Sequence, residues 1–245
     1  MKIFIRHAIR YTMKPSPRRR RRFLLTFGCV WLLMAAGCHS GQPRNFSGLV
    51  NNLLNKFHPH KKPITLEAAR MFDVSHPDVQ RAAIAWMARQ KFGHEPVYMK
   101  AYALAATAPS PLVRGQALLA LGTSGQAAVA PTLVRGLADT SSFVRLCAAM
   151  ALTHVNNPVA IPALLAHLRK DSNSQVRVYC AEALAPYKNR RVLQGLIAAL
   201  DDRNVAVVQA AWNDLRSQTG RKFPQHARPW RRWLRSQKLR LSAAQ

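Results

Sequence analysis

Ser142-Phe143-Val144-Arg145-Leu146-Cys147-Ala148-Ala149-Met150-Ala151-Leu152 decides the fold. With Val144 on one face of a helix, Ala148, Ala151 and Leu152 follow at +4, +7 and +8 on the same face. The same order recurs upstream as Val113, Ala117, Ala120, Leu121 and downstream as Val176, Cys180, Ala183, Leu184. Looser copies read Val207, Ala211, Leu215 and Val79, Ala83, Trp86, Met87. From Val79 to Val207 the steps are 34, 31, 32 and 31 residues, a period that marks a stacked helical array.

Arg114, Arg145 and Arg177 each follow a key valine, and Asp139, Asp171 and Asp202 each stand five residues before one. Second apolar stretches lie between the copies and end on Leu137, Leu168 and Leu200. The unit is therefore two short helices and a turn. Pro131 and Pro162 suit the first turn of a second helix, where the backbone N–H has no helical partner to lose. The aspartates fall in turns before first helices, where they can accept backbone N–H bonds and oppose the positive helix end. Each arginine can reach a neighbouring copy's aspartate, which predicts a ladder along the array.

The D-x4-V-R-x2-A-A-x-A-L run beginning at Asp139, and its copy at Asp171 with Cys180 in place of the first alanine, resemble HEAT-like repeats of the bilin-lyase type. The run at Asp202 is looser, with Val208 in the arginine position. The resemblance covers roughly residues 66 to 219 and implies an all-α fold, an α-solenoid of about five helix pairs. It says little about function, because enzymes, scaffolds and inhibitors share the repeat.

The chain has 245 residues, 49% of them hydrophobic, and a formal net charge of +27. Nine of its 37 basic residues precede Phe23, and no acidic residue precedes Glu67. The part after Cys38 retains 28 basic and 10 acidic residues, a balance that attracts anions such as lipid head groups, envelope polysaccharides or acidic proteins. A solvated basic surface is the simpler alternative.

Residues 1–37 read as an export signal. Arg18 to Arg22 form the positive region, and the apolar run from Phe23 to Gly37 is too short for a comfortable membrane span. The run closes on Met34-Ala35-Ala36-Gly37-Cys38, which resembles the lipobox of bacterial lipoproteins, with Ala35 where leucine is usual. That resemblance implies cleavage before Cys38 and lipid attachment there. An ordinary signal peptide, an uncleaved anchor, a start at Met13 and a twin-arginine signal at Arg20-Arg21-Arg22-Phe23-Leu24 remain open. Residues 38–63 read as the acylated cysteine and a flexible linker. His58 and His60 lack a third metal-ligand partner. Residues 64–222 form the expected solenoid, with 64–74 as a half-repeat cap and the last copy reduced to a first helix.

Residues 223–245 read as a basic capping helix. Trp230, Trp233, Leu234 and Leu241 fall on one stripe, and Arg231, Arg232, Arg235 and Lys238 on the other faces. The stripe can lie on the last repeat as a lid, or the helix can lie on a membrane surface or anionic polymer.

Chemical motifs are sparse. No phosphate loop, HExxH or GxSxG motif occurs. Deoxyhypusine hydroxylase, an iron enzyme on this repeat type, relies on several His-Glu pairs, and His94-Glu95 is a single pair in a turn. Cys147 and Cys180 read as small buried residues, and the aspartates mostly as helix-boundary groups.

The sequence is read as a non-enzymatic scaffold or adaptor, lipid-anchored through Cys38 in the cell envelope, facing the periplasm and binding another envelope protein. Candidate partner-binding residues are Arg114, Arg145, Arg177, Trp230, Arg231, Arg232, Trp233 and Arg235. No cofactor or metal is expected, nucleic acid is disfavoured, and the chain is expected to be monomeric. Polyanion or membrane-surface binding through the basic array and tail is the alternative, and a bilin-lyase-like enzyme a remote one.

Overall fold

Proline and asparagine set where the helices begin. Pro77, Pro96 and Pro111 open α2 (Pro77–Ala88), α3 (Pro96–Ala105) and α4 (Pro111–Gly122). Pro131 and Pro162 occupy the second positions of α5 (Ala130–Leu137) and α7 (Ile161–Lys170), on either side of α6 (Ser142–Leu152). Asparagine takes over in the later repeats. The side chains of Asn173, Asn189 and Asn204 accept backbone N–H bonds at the starts of α8 (Ser174–Leu184), α9 (Arg190–Ala199) and α10 (Val205–Thr219). Gly220 ends α10 at φ 69°, a left-handed conformation open to glycine without a Cβ penalty. A short α1 (Ile64–Arg70) and a long α11 (Ala227–Ser242) flank the series.

The computed structural model describes residues 64–242, with side chains from 66 to 237. The expectations for the export signal, Cys38, the tether and the side chains of Lys238 and Leu241 lie outside the described residues. Among the described residues there are eleven α-helices and no strand. They belong to one compact unit, Pro63–Gln245.

The helices stack in two rows. The first helices α2, α4, α6, α8 and α10 each pack on the next. The second helices α5, α7 and α9 do the same, and α3, α5, α7 and α9 each lie against the first helix that follows. The fold is therefore an α-solenoid of about five helix pairs. Val113, Val144, Val176 and Val207 are at most 1% exposed, as are the residues at +4, +7 and +8 in the three central copies. Each fully buried leucine, such as Leu133, Leu164 or Leu196, contributes about 2 kcal/mol of burial energy. No one pair could hide its apolar face alone.

Two expectations need correction. Val79 is 39% exposed, because nothing longer than the seven-residue α1 precedes α2 among the described residues. The fifth unit is also more than a first helix. α11 packs on α9, so it continues the row of second helices. The open side of α10 carries exposed Gln209, Asn213 and Arg216, a polar face that ends the stack.

Candidate functional site

The aspartates and arginines of the repeat meet across layers. Arg114 donates through Nε and Nη2 to Asp139 at 2.8 and 2.9 Å. Arg145 does the same to Asp171 at 2.8 and 3.0 Å, and Arg177 to Asp202 at 2.8 and 2.9 Å. Each arginine also turns Nη1 onto carbonyls of its own preceding turn. Arg114 bonds Ala108 and Pro109, Arg145 bonds Asp139 and Thr140, and Arg177 bonds Asp171. Each aspartate in turn accepts the backbone N–H two residues on, at Ser141, Asn173 and Asn204. Every rung thus ties two repeats through a bidentate, charge-assisted pair.

The ladder shifts its carboxyls downward. At Asp139 the Arg114 hydrogen bond dominates and holds the carboxyl below the usual range. At Asp171 burial pushes upward, but hydrogen bonds from Arg145, the Asn173 N–H and His167 outweigh it and bring the carboxyl down to about 2. The His167 ring nitrogen lies 2.9 Å from that carboxylate.

This geometry corrects the partner-binding expectation for Arg114, Arg145 and Arg177. Their side chains are 17%, 14% and 4% exposed, and their donors already face carboxylates and carbonyls of the array. Trp230 needs the same correction. It is fully buried, donates to the Pro224 carbonyl at 2.9 Å, and meets Phe223 and Trp233 edge-on. Trp233 is half-buried, and its indole N–H is buried without a partner. Arg231 is exposed and pairs with Asp201, while Arg232 and Arg235 are exposed. The candidates therefore split into structural residues and an exposed basic group on α11.

A groove that the sequence did not disclose runs between α7 and α9. It encloses about 670 Å³, within the usual range for ligand sites. Its apolar floor includes Leu165 and Ala198, and its rim carries Arg169, Lys170, Arg191 and Arg203. Gly195 lets Leu165 of α7 sit close against α9: a Cβ there would lie 2.3 Å from Leu165 Cδ2. A smaller recess of about 310 Å³ between α9 and α11 adjoins it at Ala198 and is lined by Arg190, Ile197, Leu234 and Arg235. The carboxylates at the groove are already engaged: Asp171 by Arg145, Asp202 by Arg177 and Asp201 by Arg231.

A second interlayer line also escaped the sequence reading. The Tyr187 hydroxyl accepts from the Asn157 N–H at 2.8 Å and donates to its carbonyl at 3.1 Å. Asn157 Nδ2 in turn donates to the Ala127 carbonyl at 3.0 Å. The 30-residue separations of these partners were the available signal. Cys147 and Cys180 are buried free thiols, and burial pushes the Cys147 thiol up to about 11. Among the described residues no three His, Cys, Asp or Glu side chains converge as a metal site, and no helix is long and apolar enough to cross a membrane.

The repeat geometry agrees with the sequence comparison, which matches HEAT repeats over residues 68–152, 98–185 and 161–226, more than half of the chain. The chain belongs to the HEAT-repeat family. This HEAT array is similar to a chain in the complex of CpcE and CpcF of phycocyanin lyase from Nostoc sp. PCC7120. The identity there is 19% and the TM-score 0.57, over 76% of this chain and 71% of that one. It is also similar to YibA of E. coli, at 18% identity and a TM-score of 0.52, over 72% of this chain and 76% of that one. These likenesses show the fold. Comparison with curated proteins found no match.

One acidic position breaks the HEAT pattern inside a helix and not at a boundary. Asp214 stands at +7 in α10, where the three central copies place a buried alanine. Burial, helped by the neighbouring charge of Glu182, pushes its carboxyl up to about 7. Its Oδ2 is buried without a hydrogen-bond partner. Because an ordinary aspartate titrates near about 4, the folded array holds this proton up to neutrality and loses stability as pH rises between those values. Asp214→Ala is expected to stabilise the array by about 2 kcal/mol near pH ~8, after discounting for partial solvation, and by much less near pH ~5. Urea melts at both pH values test this, and an equal gain at both would refute the assignment.

Proposed function

We propose that this HEAT array is a non-catalytic scaffold of the cell envelope, held at a membrane by lipid on Cys38 and docking another protein along its second-helix face. The observation behind the binding role is the division of charge. The ladder arginines engage internal carboxylates, whereas Arg169, Lys170, Arg191 and Arg235 remain exposed around two adjoining recesses. Extended surfaces of this kind suit protein recognition. A non-catalytic role is supported by the placement of Glu182 and Asp214, which interact between α8 and α10 and not in the groove. Likeness to a lyase chain at 19% identity assigns no lyase activity.

The envelope location rests on the Arg18 to Arg22 run, the following apolar stretch and Cys38. One acyl chain binds a membrane marginally, and two or more hold firmly. Cys38→Ser is therefore expected to abolish palmitate labelling and to move the protein out of the membrane fraction. A mutant that still sediments with membranes after a salt wash would overturn lipid anchoring. The scaffold itself is tested by cross-linking in intact envelopes. A partner that is retained at high salt supports it, whereas no cross-linked protein would overturn it. Polyanion binding through exposed Arg232 and Arg235 is the second reading, and its mark is steep loss of binding with added salt.

A further inference from the structure

We propose that the groove between α7 and α9, continued by the recess between α9 and α11, docks a segment of a partner protein in which acidic and apolar side chains alternate. The inference deepens the scaffold reading and rests on it. Arg169, Lys170 and Arg191 are exposed and form no ion pair among the described residues. Arg169 and Lys170 close α7, where a cation complements the helix dipole and needs no further explanation. Arg191 is different. It stands in the first turn of α9, where the dipole disfavours positive charge and no acidic residue offsets it. A locally unfavourable cation beside a recess is the kind of inconsistency that accompanies a binding site.

The carboxylates do not fill this role themselves. Asp171, Asp201 and Asp202 are engaged by Arg145, Arg231 and Arg177, so the rim is left positive. The occupant must therefore supply negative charge. It must also cover apolar surface, because half-buried Leu165 and exposed Ala198 line the groove among these cations, and Ala198 is shared with the adjoining recess. Inorganic phosphate offers nothing to those groups. A bilayer is too broad to enter a recess, whereas a single chain segment reaches it and can place acids on the rim and apolar side chains on the floor. Charge then directs the encounter and the register, and apolar contact holds the complex.

The test uses the full-length protein in detergent and a fluorescent peptide of alternating Glu and Leu, with its Gln and Leu counterpart as control. Anisotropy is expected to show binding of the acidic peptide and about tenfold or greater weakening for Arg169→Glu with Arg191→Glu. Arg169→Gln with Arg191→Gln should weaken it less, and Lys100→Glu, on α3, should leave it unchanged. Circular dichroism confirms that the variants remain helical. Equal binding of the two peptides, or equal affinity in the charge-reversed variant, would overturn the proposal. Binding of phosphatidylglycerol vesicles that the charge reversal abolishes, with no peptide binding, would overturn it in favour of a membrane site. An envelope partner cross-linked equally by wild type and by the charge-reversed variant would sink the groove and leave the scaffold standing.

Discussion

Arg145→Ala is expected to destabilise the array by about 3 kcal/mol, more than loss of any exposed arginine. The Asp171 side chain is 1% exposed and accepts two of its hydrogen bonds from Arg145. Without that guanidinium a buried carboxylate keeps the Asn173 N–H and His167 but loses its compensating charge. Asp171→Ala is costly from the other side. It removes the Asn173 turn bond and leaves Arg145 with the Asp139 and Thr140 carbonyls and a long 3.5 Å contact to the Ser172 hydroxyl. The double variant should therefore lose less than the two single losses combined, with a coupling of about 2 kcal/mol in urea melts. Additive losses would mean that the pair contributes nothing beyond its separate contacts. Arg145→Lys should fail to restore stability, because an ammonium cannot meet both carboxylate oxygens as the planar guanidinium does.

The same rung fixes an acid limb. The Asp171 carboxyl is brought down to about 2, below the ordinary value of about 4. Its contribution is therefore complete above the ordinary value and is lost as pH falls from about 4 toward 2. In Asp171→Ala that limb of the stability profile should flatten. Asp214 gives the opposite slope between about 4 and 7, so the two aspartates can be separated by pH alone.

The ladder was legible because its two residue types are offset by one copy. Arginine follows the valine in the second, third and fourth copies, and aspartate precedes it in the third, fourth and fifth. That offset is what an arginine reaching forward to the next layer requires. Where no rung forms, both partners are missing. Gln80 replaces arginine in the first copy and Ala108 stands at the aspartate position of the second. Gln80 then keeps only the backward contact, donating to the Met71 carbonyl at 2.9 Å. Val208 in the last copy has no later aspartate to reach. Helix pairing was legible for a similar reason, since period and phase can be counted. The groove was not, because it depends on how closely the ends of α7 and α9 approach, and no spacing in the chain states that distance. The carboxyl of Asp214 is readable as an exception to an alanine position, but its burial is not. Its neighbour Glu182 lies on another helix, and only packing brings the two charges into one field.

Trp230→Ala should lower stability by about 4 kcal/mol and the melting midpoint by roughly 10 °C. Trp230 is fully buried, and its ring packs edge-on against Phe223 at 5.1 Å and Trp233 at 6.4 Å between centroids. The Phe223 carbonyl also accepts from Trp212 Nε1 of α10 at 2.7 Å. The connector from α10 to α11 is thus held at two adjacent carbonyls by a tryptophan N–H from each flanking helix, the second being Trp230 on the Pro224 carbonyl. From the other side, Arg190 of α9 donates to the Leu234 carbonyl of α11 at 3.1 Å. Removing the ring leaves a cavity between these contacts and frees α11 from α9. In a stack held by nearest neighbours, damage at one end need not unfold the whole. Hydrogen exchange should therefore accelerate first in α10 and α11, then in α9, and hardly at all in α4. Uniform acceleration along the chain would mean that the array unfolds as one unit. An unchanged melt with loss of binding to anionic vesicles would instead make Trp230 a contact residue, against its burial. Removing residues 223–245 should reproduce the pattern with a larger amplitude, because the polar open side of α10 cannot replace the apolar cover that α11 gives to α9.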